Sequence, residues 1–220
     1  MKFLAVLFDL DGTLLDTLED IAASMNAALG RGGFPQHPVQ QYRQFVGGGV
    51  ADLAHRVLPA GTGEEDARRV ETWMQEEYSR RWADRTVPYP GIRELLDALC
   101  EAGVRRVVLS NKPEDFTLML CGRYFRPGDF EIVRGARAGV PRKPDPTAAL
   151  AIASDMGVDP ARIAYLGDSG SDMKTAIAAG MHPVGALWGF REEDEIAAAG
   201  ARDMIRRPEE LMLIVNYAER

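Results

Sequence analysis

Basic residues are scarce relative to acidic ones in this chain: 26 Lys and Arg stand against 33 Asp and Glu, a formal charge of -7 over 220 residues. That balance argues against a broad nucleic-acid or anionic-membrane surface, which draws on clustered Lys and Arg, while a small anionic ligand needs only a local cation. Cysteine is nearly absent. Cys100 and Cys121 fall in segments with helical spacing and at no metal-binding interval, which excludes a disulfide framework and suggests two reduced, packed thiols. The three histidines, His37, His55 and His182, share no spacing and read as packing or surface residues. No apolar run approaches the length of a membrane span. The first run, "FLAVLF", stops at Asp9 without a small-residue cleavage site, against a secretory leader. The expectation is a cytoplasmic globular protein, monomer or homodimer, with no nucleic-acid or membrane partner.

Apolar residues make up 46% and charged residues 27%, the balance of an ordinary folded protein, long enough for one core with a smaller insert. Phe3 to Phe8 is nearly all apolar, as in a strand covered on both faces. Short runs recur at Arg106 to Ser110, Phe130 to Val133, Ile163 to Gly167 and Pro183 to Leu187. Between the later runs lie helical spacings over Gly91 to Ala102, Glu114 to Arg123, Pro146 to Met156 and Ser171 to Ala179. Alternating strand and helix predicts an α/β fold, a doubly wound Rossmann-like parallel sheet. From Asp16 to Val87 the rhythm breaks: three helical stretches, near Leu18 to Leu29, Val39 to Leu58 with a "GGG" interruption, and Glu64 to Trp82, predict a helical insert. Residues 1–15 and 88–220 would form the core and 16–87 the insert, with "TVPYPG" as a stiff re-entry linker.

Open parallel sheets bind ligands beyond the carboxyl ends of their strands. Asp9 and Asp11 follow the first run, Ser110 and Asn111 close the second, and Asp168 and Asp172 follow the fourth in "GDSGSD". Lys143 lies in the loop before a helix. Four carboxylates, a hydroxyl and a lysine would converge on one edge. Such acids resist joint ionisation, and a hard divalent cation removes the difficulty. Mg²⁺ takes carboxylate and phosphate oxygens, a carboxylate can attack phosphorus, and the Lys and hydroxyl would stabilise the transferring group. "VGGGV" at Val46 to Val50 reads as a loop that approaches a ligand, a hinge, or a helix break. Taken singly, each motif has an ordinary structural explanation: "DGT" as a turn, "GDSGSD" as a capped helix start, Lys143 as a surface charge. The ordered set is what points to catalysis.

The four motifs, "DLDGT" at Asp9 to Thr13, Ser110 in "LSN", Lys143 in "RKPDP", and "GDSGSD" with Asp168 and Asp172, resemble in type and order those of the haloacid dehalogenase superfamily of phosphotransferases. The position of the insert resembles that family's α-helical type 1 cap. The resemblance implies Asp9 as the nucleophile that takes the phosphoryl group and Asp11 as general acid and base. It implies Asp9, the Asp11 carbonyl and Asp168 as Mg²⁺ ligands, with Asp172 holding a metal-bound water or orienting Lys143. Ser110, Asn111 and Lys143 would bind phosphate, and Gly47, Gly48 and Gly49 would form a cap specificity loop.

An acid at the position of Asp11 favours phosphate chemistry over dehalogenation. "FVGGGV", "VPYPGI", "LSNKP" and the stretch from Trp188 to Leu211 further resemble the phosphoglycolate phosphatase branch, although Ser110 stands where that branch usually has Thr. The resemblance implies hydrolysis of a small phosphorylated substrate, 2-phosphoglycolate, through an aspartyl phosphate. Alternatives are a sugar phosphatase, a β-phosphoglucomutase-like phosphotransferase, or a non-catalytic phosphate sensor. Arg43 reads either as a carboxylate partner or as an exposed helix residue.

Overall fold

A computed structural model describes residues 3–216. In chain order the elements are β1 (Ala5–Phe8), β2 (Leu15–Asp16), α1 (Leu18–Arg31), α2 (Tyr42–Phe45), α3 (Val50–Val57), α4 (Glu64–Arg81), β3 (Val87–Pro88), α5 (Ile92–Glu101) and β4 (Arg105–Pro113). They continue with α6 (Glu114–Tyr124), β5 (Ile132–Ala136), α7 (Thr147–Met156), β6 (Ile163–Gly167), α8 (Gly170–Ala178), β7 (His182–Ala186), α9 (Glu193–Ala198), β8 (Asp203–Ile205) and α10 (Leu211–Asn216). Short 3₁₀ turns precede α2, β6 and α10.

The main sheet is six-stranded with order β5-β4-β1-β6-β7-β8, and every pairing in it is parallel. Its helices flank both faces, the doubly wound Rossmann-like arrangement. The alternation along β1 explains why: Val6 and Phe8 feed one apolar cluster with Ile92, Leu95 and Leu99, whereas Ala5 and Leu7 feed another with Ile152, Ala153 and Ala176. A strand buried on both faces must be apolar throughout, as this one is. The chain runs outward from β1 to β4 and β5, then crosses back to β6 on the other side. The order therefore reverses beside β1, and the carboxyl ends of β4, β1 and β6 border the crevice that such a reversal opens.

The helices between β2 and β3 close on a third cluster. In α1, Leu18, Ile21, Ala22, Met25, Ala28 and Leu29 form one buried stripe, and α4 answers with Ala67, Val70, Met74 and Tyr78, both at helical spacing. Acids in the first turn of α4 and Arg80 and Arg81 in its last complement the helix dipole. Buried Asp20 of α1 accepts from the Arg85 and Thr86 amides and the Thr86 hydroxyl at 2.7–3.1 Å, which ties the outgoing chain to the returning one.

Some expectations need correction. The stretch Val39 to Leu58 is not one interrupted helix but a 3₁₀ turn, the single turn α2 and, after the glycines, α3. The strand expected at Arg106 to Ser110 continues through Pro113 with a register shift after Leu109. An edge strand, β8, and the ribbon of β2 with β3 are additional. Cys121 is packed as expected, but Cys100 is exposed. No helix among the described residues is long and apolar enough to cross a membrane.

Candidate active site

Asp9 is the first residue beyond β1, and its amide still donates to Leu166 of β6 at 2.9 Å. The chain then turns at once: the amides of Leu14 and Leu15 both reach the Leu10 carbonyl at 3.0 Å. Gly12 makes this possible, with φ of +84° and a position where a Cβ would lie 2.2 Å from Oδ2 of Asp168. Only glycine lets the backbone press against that carboxylate. Gly189 meets it from the other side, where a Cβ would stand 2.2 Å from the Cβ of Asp168. Asp168 itself follows β6 and accepts from the Phe190 amide at 2.6 Å.

The capped helix start expected at "GDSGSD" is present. Ser169 caps α8, with its hydroxyl donating to Oδ2 of Asp172 at 2.6 Å and the Asp172 amide returning the bond in a capping box. The other oxygen of Asp172 lies 2.7 Å from the ammonium of Lys143, which is also 2.7 Å from Oδ1 of Asp9. Lys143 thus bridges two acids. Each of the three is buried.

Oxygens of Asp9, Asp168 and Asp172 come within 4.8 Å of one another. Burial, and then repulsion from Asp172, push the Asp168 carboxyl up to about 7. The same causes hold Asp9 well above the usual carboxylate range, although Lys143 opposes them. Lys143 is held above the ordinary lysine range by Asp172 and Asp9 against the pull of burial. One lysine does not neutralise three buried acids, and an all-oxygen donor set suits a hard divalent cation. The residues present therefore fit one.

Asp11 stands apart from that cluster. Its carboxylate accepts from the Thr17 hydroxyl at 2.7 Å and from the ammonium of Lys112 at 3.0 and 3.1 Å. Any contact of Asp11 with a cation in the cluster would fall to its backbone carbonyl, as the family resemblance implies. Ser110 is buried and its hydroxyl accepts from the Lys112 amide at 3.2 Å.

The cavity above these residues, about 60 Å³, is lined by Asp9, Asp11, Ser110, Asn111, Lys143 and Asp168 from the sheet side. Val50, Leu53, Met74, Tyr78 and Phe116 are among its apolar and aromatic walls. Gly47 and Gly49 line it, whereas Gly48 does not. Asn111 reaches the cavity, but its amide is engaged with backbone: the nitrogen donates to Gly47 at 2.9 Å and Lys143 at 3.1 Å, and the oxygen accepts from Lys143 at 2.9 Å. It positions the glycine loop against the lysine loop.

Arg43 is half-buried rather than exposed, and it donates to the Gly189 carbonyl. Arg191 returns the contact, donating to Val46 at 2.6 Å. Lys112, Tyr78 and Arg191 escaped the sequence reading. The first sits inside the quoted "LSNKP", yet a lysine after a strand reads as solvated until a residue far along the chain covers it.

The geometry defines a hydrolase class: a doubly wound sheet with a carboxylate and a lysine in contact at the central strand end, an acid cluster for a cation beside them, and a helical insert over the cavity. The comparisons agree. The haloacid dehalogenase-like hydrolase family model matches residues 3–180, and the chain belongs to that family. It is 34% identical to the phosphoglycolate phosphatase of Pseudomonas putida over 198 residues, 88% of this chain and 72% of that protein. It is 33% identical to the N-acetylmuramic acid 6-phosphate phosphatase of Pseudomonas aeruginosa over 219 residues, 99% of this chain and 97% of that one. A solved structure from Lactobacillus delbrueckii subsp. bulgaricus, described as a candidate phosphoglycolate phosphatase, superposes with a TM-score of 0.93 at 29% identity, covering 98% of this chain and 99% of the other. Both curated relatives are phosphoric monoester hydrolases.

Proposed function

We propose that this hydrolase releases inorganic phosphate from a small phosphate monoester, with 2-phosphoglycolate as the substrate, through a phosphoryl group carried on Asp9. The observation that carries the reading is Asp9 itself, buried at the strand end with Oδ1 held by Lys143 and by the Leu10 amide at 2.7 Å each. A carboxylate so fixed is aimed rather than solvated, which is what an attacking group needs.

In this reading Asp9 forms a bond to phosphorus as the bond to the leaving oxygen breaks, and Asp11 gives that oxygen its proton. Asp11 then takes a proton from water as the water cleaves the aspartyl phosphate and restores Asp9. The ammonium of Lys143 and the hydroxyl of Ser110 stabilise charge on the phosphoryl oxygens. A divalent cation, Mg²⁺ by the chemistry of the donors, would be held by Asp9, the Asp11 carbonyl and Asp168. When bound it supplies positive charge that lets these acids and the phosphate share one site. Residues 16–87 act as the cap, with Arg43 and Arg191 as its clasp to the core.

A second reading, a sugar-phosphate substrate such as N-acetylmuramic acid 6-phosphate, is favoured by the end-to-end match to that relative. The first is favoured by the phosphoglycolate phosphatases among the relatives, 33–34% identical to this chain over 87–88% of its length. Phosphate release from a panel of both esters, simple sugar phosphates and p-nitrophenyl phosphate, with Mg²⁺, tests the proposal. The highest kcat/KM is expected for 2-phosphoglycolate. Preference for the amino sugar ester selects the second reading, and no release from any ester contradicts both and leaves a phosphate sensor.

A further inference from the structure

Lys112 is a buried cation on the Asp11 side of the cavity. Its ammonium contacts both oxygens of Asp11 at 3.0 and 3.1 Å and sits 4.6 Å from the centre of the Tyr78 ring. A buried ammonium is costly without an anion beside it. Its carboxylate partner is Asp11, the group that the proposed chemistry turns toward the leaving oxygen. The cation that binds Asp11 in this arrangement therefore needs a second anion when substrate is in place.

Tyr78 supplies the independent observation. It is the last buried position of the α4 stripe, only 2% exposed, with its ring edge-on to Phe116 at 5.0 Å. Its hydroxyl is buried and, apart from the Lys112 ammonium beside it, has no hydrogen-bond partner among the described residues. Buried hydroxyls nearly always have one. This one lines the cavity beside Lys112, so a ligand atom is the natural partner.

We propose that Lys112 and Tyr78 form a subsite for a carboxylate on the leaving group, which makes the substrates phosphate monoesters of short hydroxy acids. The inference rests on the phosphatase reading above. The surrounding wall, with Leu53, Met74 and Phe116, offers a neutral alcohol all that it needs. An ammonium and a hydroxyl set together in that wall instead complement an acceptor with several lone pairs and a negative charge. The other cations of the cavity are committed elsewhere: Lys143 to Asp9 and Asp172, and Arg191 to Glu195 and the Val46 carbonyl.

The spacing also selects among carboxylates. Lys112 and Asp11 are in contact, so the carboxylate and the ester oxygen must be near neighbours in the substrate. A 2-hydroxy acid ester satisfies this. In N-acetylmuramic acid 6-phosphate the carboxylate lies across the sugar ring from the phosphate and does not. On docking, the substrate carboxylate replaces an Asp11 oxygen on the ammonium, and the freed oxygen, taking up a proton from solvent, turns to the ester. Recognition and release of the proton donor are then one movement.

The test is the ratio of kcat/KM for 2-phosphoglycolate to that for its neutral amide, with Mg²⁺, in wild-type protein, Lys112→Met and Tyr78→Phe. Each protein is compared with itself, so the ratio is insensitive to the folded fraction. The wild-type ratio is expected to be roughly a hundred, since hydrogen bonds to a charged group are the strong ones. Lys112→Met should bring it near one, and Tyr78→Phe, which keeps the ring and removes only the oxygen, should lower it about tenfold. The Tyr78→Phe arm stands even where Lys112→Met fails to fold. A wild-type ratio near one, or a ratio unchanged in the variants, overturns the subsite and leaves the phosphatase reading intact. No phosphate release from either ester or from p-nitrophenyl phosphate overturns both.

Discussion

Asp9 and Asp11 leave the same strand two positions apart, yet they occupy opposite electrostatic surroundings. Asp9 faces Asp168 and Asp172 with Lys143 shared between it and Asp172, a region with more negative than positive charge until a cation enters. Asp11 faces Lys112 and Thr17, a local pair whose charges cancel. Gly12 and the tight turn that follows are what split them, because the backbone doubles back onto Asp168 and swings the second carboxylate away from the first. The same acid in two settings can hold two roles, and in the proposed mechanism one carboxylate lies where phosphorus and a cation would meet, the other on the side where protons would pass. Environment, more than residue type, assigns the work.

The largest expected effect comes from removing the first of the pair. Asp9→Asn should lower turnover by roughly four orders of magnitude or more while far-UV circular dichroism shows an unchanged fold. Retention of near wild-type turnover would break the distinction between the two acids at once. Asp11→Asn should cost less, on the order of 10² to 10⁴-fold with an alkyl phosphate, the usual share of a positioned proton donor. The loss should shrink for p-nitrophenyl phosphate, whose leaving oxygen needs little protonation. Equal losses with both esters would remove Asp11 from that duty.

A smaller, thermodynamic effect sharpens the same contrast. Burial and Asp172 raise the Asp168 carboxyl to about 7, and Asp9 is raised for like reasons, so ionising them costs the folded state. That cost is absent below about pH 4, where the unfolded chain also holds these protons. For Asp168 it grows as pH rises toward 7 and is constant above. Cation-free protein should therefore lose stability across that window, and Mg²⁺ in fixed excess should raise Tm more at pH 8 than at pH 5. Equal shifts by differential scanning fluorimetry would mean that these carboxyls do not face the cation.

The residues differ in how far the sequence foretold them, and the reasons are physical. Asp9, Asp168 and the strands behind them were legible because a strand buried on both faces must be apolar and must end where its ligand begins. β8 was not, since Asp203, Met204 and Ile205 form a short edge with a single buried apolar side chain. The ribbon of β2 and β3 has two residues a side, too few to show a period. The stretch Val39 to Leu58 breaks at the glycines as expected, and what its spacing hid is that the part before them is only a 3₁₀ turn and the single turn α2. Lys112 and Tyr78 stayed hidden for another reason: their contact joins α4 of the insert to the end of β4, and nothing local in either segment announces it. Asp11 could be placed at the strand end, but its lysine partner could be seen only once the fold had closed the long excursion between them.

The division of labour between the two acids is tested most directly by one measurement. Asp11→Asn protein is quenched in acid during turnover of p-nitrophenyl phosphate, and its intact mass is recorded with peptide mapping. The leaving group departs without help from residue 11, while the water step loses its base. A phosphoryl adduct should therefore accumulate on the protein, mapped to Asp9. Sustained turnover with no adduct at Asp9, or an adduct mapped to Asp11 neighbours rather than to Asp9, would contradict the account.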